Sequence, residues 1–465
     1  MPTFLPDQLA AWTGGQWTAR PGSPLTGFQI DTRTLRAGDV FVAIRTEKRD
    51  GHAFLAEARE AGAAAALVAE ANPDVDMPQL VVRDPLVAFQ TIAREHRRAF
   101  RGKVVGISGS AGKTSTKDLL AILLGGGSGV LATEGNLNNH LGVPLTLTRL
   151  DLERHNFAVI EAGISGPGEM QPLADMIQPD VVLITLIGAA HTEELGGIEG
   201  VAREKSILPA ATKTAGVAIF ARDTAEHAPF RALGVRTMVV ERAEVVRPAE
   251  PLHNTIYFAV SHRSGQTALA LAYGLGAPLT FTMRRVSDGQ AQNAALAICA
   301  ALWLGVAVEV VQSRLAGWQA AKLRGEIRRE NGRLLYLDCY NANPASMADA
   351  LSVFDSIAPA AEPRLYVIGG MEELGLEAAA YHHALGRLLT LRPNDYLFVI
   401  GTHAHAVCAG VLEQGNVTEQ FQIMSSLEPV AAAVAEWHGA VFVKGSRRYR
   451  LEKILEVQTL LPFSC

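Results

Sequence analysis

Apolar and polar positions alternate along this chain in a way that predicts short buried strands separated by helices. In the first hundred residues PDQLAAW has helical spacing, and GDVFVAI reads as a strand entered through a turn at Gly38-Asp39. AFLAEAREAGAAAALV reads as a helix, an Ala/Gly turn and a buried strand. TIAREHRRAFRG predicts a basic helix with a solvated face that connects to the next block. From about Gly102 to Arg324 apolar runs again alternate with helical stretches, the pattern of a mainly parallel sheet. Two of these runs matter: NFAVI (156–160) ends at Glu161, and DVVLITLI (180–187) ends at Gly188, with His191 beyond it. From about Arg328 the strands LLYLD, RLYVIGG, DYLFVIG, FQIM and AVFVKG alternate with helices, giving a Rossmann-like sheet without a GxGxxG fingerprint. The expected fold class is α/β in three domains. These are a small N-terminal α/β domain (1–100), a central P-loop ATPase-type domain with a mainly parallel sheet (101–327), and a C-terminal Rossmann-like domain (328–465).

The central block opens on the stretch with the most chemistry, VVGISGSAGKTSTKDLL at 104–120. A β-branched run ends in Gly106, Gly109 and Gly112; Lys113, Thr114 and Ser115 follow, and a helical pattern begins. Strand, glycine loop and helix start in that order form an anion cradle, with backbone N–H groups, the helix N-terminus and a lysine all supplying positive charge. Thr114 stands where such a loop places its Mg²⁺ ligand. The strict Walker spacing fails, since the first glycine would fall at Ile107. A glycine-rich turn with a solvated lysine is the plain alternative; nucleoside triphosphate binding is the expectation.

Ligands in open α/β sheets gather at the carboxyl ends of strands. Glu161 and His191 are therefore expected near the loop, with Glu161 holding Mg²⁺ or standing free in solvent. Lys205, in VAREKSILPAA, reads by itself as a solvated helix lysine. In the third block Asp338, Tyr340 and Asn341 occupy a strand-end loop before an N-cap at Asn343 and Pro344 in the first helical position. Lys444, Ser446 and Arg447 lead into a helix rich in arginine, which is either a second cationic site or a charged helix surface.

Length changes little: 465 residues suit about three domains. A hydrophobic fraction of 48% with 19% charged residues is that of a soluble enzyme. The net charge of −5 offers no general attraction to nucleic acid or anionic membrane, so neither is an expected partner. The four cysteines (Cys299, Cys339, Cys408 and Cys465) have no metal or redox spacing, which suits a reducing compartment. MPTFLPDQLAAW does not have the build of a signal peptide, and no apolar run is long enough to span a bilayer. A cytoplasmic protein is expected.

The motifs GSAGKTST, TEGNLNNHLGVPLTL, VIEAG…PGEM, IGAAHTEELGGIEGVAREK, DCYNANPASM, GGMEELG and VKGSRRYRLE, in that order, resemble the Mur ligases over almost the whole chain. DTRTLRAGDVFVAI…DGHAF is similar to the UDP-binding domain of that family. YNANP is most similar to the members that add D-alanyl-D-alanine. The resemblance implies an ATP- and Mg²⁺-dependent amide ligase acting through an acyl phosphate, with UDP-N-acetylmuramoyl-tripeptide and D-alanyl-D-alanine as substrates; a monomer is the expectation, with the resemblance leaving oligomeric state open. It implies that Gly109, Ser110, Ala111, Gly112, Lys113, Thr114 and Ser115 hold the phosphates. Thr114, Glu161, His191 and Lys205 would serve the metals, Lys205 as a carbamate, which reverses its reading as a surface lysine. Asn293 would approach the adenine, Arg324 the phosphates, and Asp338, Tyr340 and Asn341 the nucleotide. Asn136 and Asn139 would lie beside the muramyl group, Thr32 and Arg33 near the uridine diphosphate, and Lys444, Ser446 and Arg447 near the incoming dipeptide or the peptide terminus.

The chain departs from the family pattern at Ile164 and Ser165, where Asn-His is common, and at Gly370, where Asp is usual. The adenine loop SDGQAQNAALA also lacks an expected histidine. A related ligase with another amino-acid acceptor, and a non-catalytic nucleotide-binding relative, are the alternative readings.

Overall fold

Three sheets follow one another in a computed structural model that describes residues 2–246, 254–263, 265–273, 276–330 and 332–459. The first contains β1 (Gln16–Trp17), β2 (Gly27–Gln29), β3 (Asp39–Val42), β4 (Ala65–Val68) and β5 (Gln79–Val81) in the order β1-β5-β4-β3-β2. All pairs but β1–β5 are parallel. The helix Leu55–Glu60 covers one face of this sheet, and the helix Pro85–Ala99 covers the other.

Pro85–Ala99 corrects the reading of the basic tract as a solvated face. Asp84 caps it through Leu86 N and Val87 N, and Pro85 costs nothing at its first position. His96 and Arg97 are buried. Arg97 Nε donates to Ile177 O at 2.9 Å, and Arg97 Nη2 donates to Gln178 O at 2.8 Å and to Asp180 Oδ2 at 3.2 Å. The reason is geometric: the helix Met170–Ile177 ends here, its last carbonyls need donors, and a cation suits the negative end of its dipole. Replacing Arg97 by Met takes this donor from both carbonyls and removes one partner of Asp180, whose carboxylate keeps Val104 N at 2.9 Å and Lys213 at 3.5 Å. We expect the urea midpoint to fall by the equivalent of about 3 kcal/mol; a wild-type midpoint would refute this role.

The second sheet contains β6 (Lys103–Ser108), β7 (Val130–Ala132), β8 (Phe157–Glu161), β9 (Val181–Ile184), β10 (Val217–Ala221), β11 (Thr237–Arg242), β12 (Thr255–Arg263), β13 (Gln266–Leu271) and β14 (Leu279–Arg284). Their order is β14-β13-β12-β11-β10-β9-β6-β8-β7, parallel except for the β12-β13-β14 edge. The helices Lys113–Leu123 and Asp288–Trp303 pack on one face, and Met170–Ile177 packs on the other. The β6 strand lies between β8 and β9, so the sheet order reverses around it and a crevice opens at the carboxyl ends of all three. The expected strand over 180–187 stops at Ile184; Thr185 follows it, with its hydroxyl on Ala111 O at 2.5 Å.

The third sheet contains β15 (Glu326–Glu330), β16 (Arg333–Asp338), β17 (Arg364–Gly369), β18 (Tyr396–Ile400), β19 (Phe421–Met424) and β20 (Ala440–Lys444). Their order is β15-β16-β20-β17-β18-β19, parallel except for β15–β16. It begins at Glu326, slightly before the composition change at Arg328. Asn343 and Ser346 form a reciprocal capping box on the helix Pro344–Ile357. The arginine-rich helix expected after Lys444 is instead split into a 3₁₀ turn, Arg447–Tyr449, and a 3₁₀ helix, Leu451–Thr459, because Arg450 between them takes a left-handed φ of 47°. Cys299, Cys339 and Cys408 are buried free thiols; Cys465 lies outside the described residues. Among the described residues no helix is long and apolar enough to cross a membrane.

Candidate functional site

The loop between β6 and the helix Lys113–Leu123 has the backbone its glycines predict. Gly109 and Gly112 adopt φ of 144° and 78°. A Cβ would meet Thr185 Oγ1 at 2.0 Å from Gly109, and Asn293 Nδ2 at 2.2 Å from Gly112. The unusual glycine spacing therefore follows from what packs on the loop: Thr185 after β9, and Asn293 on the helix Asp288–Trp303.

Lys113 stands at the floor of the crevice, its Nζ on Gly109 O at 2.8 Å. Burial pulls its pKa down, the Glu161 carboxylate opposes that shift, and Arg324 adds to it. Thr114 Oγ1 donates to Glu161 Oε2 at 2.9 Å, while Asn138 Nδ2 donates to Glu161 Oε1 at 2.8 Å. Behind them Lys205 is 1% exposed. Burial and the nearby Lys113 hold its pKa well below the ordinary lysine value, against the pull of Glu204 and Glu161. The reading of Lys205 as a surface lysine is thus corrected: Val201, Ala202 and Lys205 form the buried side of the helix Ile198–Lys205.

The third domain closes the crevice. Asn343 Nδ2 donates to Ser110 O at 3.1 Å across the domain boundary. His191 and Glu373, both with left-handed backbone, join the two domains through Nδ1 and a carboxylate oxygen. The imidazole hydrogen bond lowers the pKa of Glu373, against the effect of burial. The Arg324 guanidinium stacks 3.8 Å over the Tyr340 ring, with Arg447 at 5.7 Å. Lys444 is 1% exposed, and its ammonium is engaged by Asp338 at the cleft wall.

The resulting cleft has a volume of about 1060 Å³, at the top of the ~300–1,000 Å³ range of small-molecule sites. Ser110, Ala111, Gly112, Lys113, Thr114, Ser115, Glu161 and His191 line its central-domain wall together with Asn136, Asn139 and Asn293. Arg324, Asp338, Tyr340, Asn341, Lys444, Ser446 and Arg447 line the opposite side. Four other residues lie elsewhere: Lys205 is buried behind the wall. Gly109 sits at the root of the loop, and Thr32 and Arg33 form a 3₁₀ turn after β2, bonded to Glu57 and Asp31. Asn138, Asn343, Glu372 and Glu373 also line the cleft, and reading the residues did not single out any of them as a ligand contact. Their signals were present in NLNN, YNAN and GGMEELG, but neighbouring residues in each motif are equally polar.

The departure at Gly370 has a physical cause. A Cβ there would meet Tyr449 Oη at 2.8 Å, and Tyr449 donates to Glu372 in that space. The Thr114 hydroxyl and Glu161 carboxylate are hard oxygen donors that suit Mg²⁺. No group of three His, Cys, Asp or Glu able to hold an ion occurs among the described residues. This donor set fits an ion that takes its remaining ligands from phosphates and water.

Three family models match the chain in register with its sheets. The Mur ligase family catalytic domain matches residues 24–107, the Mur ligase middle domain 107–301, and the Mur ligase glutamate ligase domain 323–447. The chain is 30% identical over 450 residues to the UDP-N-acetylmuramoyl-tripeptide–D-alanyl-D-alanine ligase of Bacillus subtilis, spanning 94% of each. MurF from Acinetobacter baumannii superposes with a TM-score of 0.84 at 27% identity, covering 98% of this chain and 99% of that one. MurF from Thermotoga maritima, solved in complex with ADP, superposes with a TM-score of 0.78 at 26% identity, over 93% and 96% of the two chains. Since these likenesses run through all three sheets and the cleft they enclose, the chain belongs to the Mur ligase family of ATP-dependent carbon–nitrogen ligases.

Proposed function

We propose that this chain joins D-alanyl-D-alanine to UDP-N-acetylmuramoyl-tripeptide at the expense of ATP. The observation that carries the reading is a cleft with a phosphate cradle on one wall and Ser446 and Arg447 on the other. One wall suits a triphosphate; the other suits the carboxylate of an incoming peptide.

A carboxylate is a poor electrophile, so the reaction needs two steps. A terminal carboxylate oxygen of the tripeptide attacks the γ-phosphorus, the bond from that phosphorus to the bridging oxygen breaks, and ADP leaves. The dipeptide amine then adds to the acyl carbon and loses a proton, and phosphate departs with the former carboxylate oxygen. The loop N–H groups and Lys113 screen the transferring charge. Thr114 and Glu161 would hold Mg²⁺, which supplies further positive charge at the phosphate oxygens. Asn293 faces the adenine in this reading, and Arg324, Asp338, Tyr340 and Asn341 face the rest of the nucleotide. Asn136 and Asn139 contact the muramyl group, Thr32 and Arg33 the uridine diphosphate, and Ser446 and Arg447 the dipeptide. His191 and Lys205 would hold a second ion, adding positive charge at the phosphates.

Burial favours the neutral amine of Lys205, the form whose lone pair adds to carbon dioxide and which then releases a proton to solvent, leaving a carbamate anion. The intact mass in bicarbonate should exceed that of acid-treated protein by one carboxyl group, and Lys205→Ala should abolish the difference; an unchanged wild-type mass refutes the carbamate. The function itself is tested by phosphate release with ATP, Mg²⁺ and both substrates. Omitting either substrate should abolish release and the pentapeptide product. Undiminished release without the dipeptide would overturn the assignment.

A further inference from the structure

Lys117 is a buried cation that the chemistry above does not use. It lies one turn beyond Lys113, its side chain is 5% exposed, and its Nζ pairs with Asp118 at 2.6 Å. The same Nζ donates to Thr133 O at 2.6 Å. Burying an ammonium is costly unless it is paired. An apolar side chain of similar length would fill the space without that cost, so packing alone does not account for the charge.

The Thr133 carbonyl has a different partner in a regular sheet. The β7 and β8 strands are parallel, with Val130 opposite Phe157, Leu131 opposite Ala158 and Ala132 opposite Val159. Thr133 N continues that ladder to Val159 O at 3.0 Å. In a parallel ladder the carbonyl of the same residue accepts from the amide two positions further along the partner, which here is Glu161. Lys117 holds that carbonyl instead, and Glu161 N–H goes to the Thr133 hydroxyl at 3.0 Å. The ladder ends one bond early, and the chain leaves the sheet into the turn that brings Asn138 to Glu161 Oε1 at 2.8 Å. Gly163 N–H closes the turn on Asn138 O at 2.8 Å, and a Cβ at Gly163 would lie 2.9 Å from the Asn138 amide.

We propose that Lys117 is a positioning residue for Glu161. By taking the Thr133 carbonyl, it lets the Thr133 hydroxyl fix the Glu161 backbone and lets Asn138 fix one carboxylate oxygen, which leaves the other beside Thr114 for a nucleotide-bound divalent ion. The inference rests on the phosphate-site reading above.

The test is titration of Mn²⁺ in the presence of saturating ADP, followed by electron paramagnetic resonance of free Mn²⁺. Lys117→Met should raise the half-saturating Mn²⁺ concentration about tenfold, with metal-free ADP affinity unchanged. Asn138→Ala, a change outside the core, should give a similar shift even if Lys117→Met does not fold. Where both fold, the double variant should shift binding by less than the product of the single shifts, because both act on one carboxylate. Unchanged Mn²⁺ binding in either folded variant, or multiplicative shifts in the pair, would overturn the inference. Absence of ADP-dependent Mn²⁺ binding in the wild-type protein would instead overturn the phosphate-site reading.

Discussion

Lys113→Met should lower turnover at saturating substrates by a factor on the order of 10³. The loop approaches its ligand with backbone N–H groups, whose partial charges are fixed, and with one full charge, at Lys113. That ammonium lies on Gly109 O at 2.8 Å, at the root of the loop where the phosphates would enter. Burial already destabilises its charged form, so an incoming phosphate finds a poorly solvated cation with little water to displace. Screening from such a group is worth more than from a solvated lysine, because the surroundings have a low dielectric. Methionine preserves the length and apolar volume of the stem, so the melting temperature should stay near the wild-type value. ADP affinity should fall together with turnover, measured without metal by calorimetry. Wild-type ADP affinity in a folded Lys113→Met protein would remove the loop from the phosphate site.

The parts of this site that were readable in the sequence are those built from local geometry. Strand, glycine turn and helix follow one another directly in VVGISGSAGKTS, Glu161 ends β8, and His191 lies in the loop after β9, on the side where a parallel sheet gathers its ligands. The capping box at Asn343 is equally local. Residues whose meaning depends on a distant partner were misread or passed over. Arg97 looks like one basic residue among several until Ile177 O and Asp180 are brought to it. Lys205 looks solvated because its helix buries a face that periodicity alone does not mark as polar. Asn138 and Asn139 are adjacent and chemically identical. The first reaches Glu161, whereas the second turns its oxygen to the amides of Leu141 and Gly142. Gly370 could be seen as a departure from the family pattern, but its cause, the Tyr449 ring, lies far along the chain.

Glu161→Gln should separate metal binding from nucleotide binding. The wild-type carboxylate accepts from Thr114 Oγ1 on one oxygen and from Asn138 Nδ2 on the other. Glutamine has the same shape but can accept on its oxygen alone, so its amide nitrogen must face one of those two donors. If Asn138 keeps the oxygen, the nitrogen points toward Thr114, where the ion would bind, and the site loses both its negative charge and a hard ligand. Turnover should fall by about 10³-fold, and ADP-dependent Mn²⁺ binding should disappear. Metal-free ADP affinity should hold or rise slightly, since a negative charge beside the phosphates has been removed. The two substitutions therefore give opposite patterns from neighbouring positions: Lys113→Met loses the nucleotide itself, whereas Glu161→Gln keeps the nucleotide and loses the ion. A Glu161→Gln protein that binds Mn²⁺ with wild-type affinity would place the ion elsewhere, and the Thr114–Glu161 hydrogen bond would then serve only to tie the start of the helix to β8.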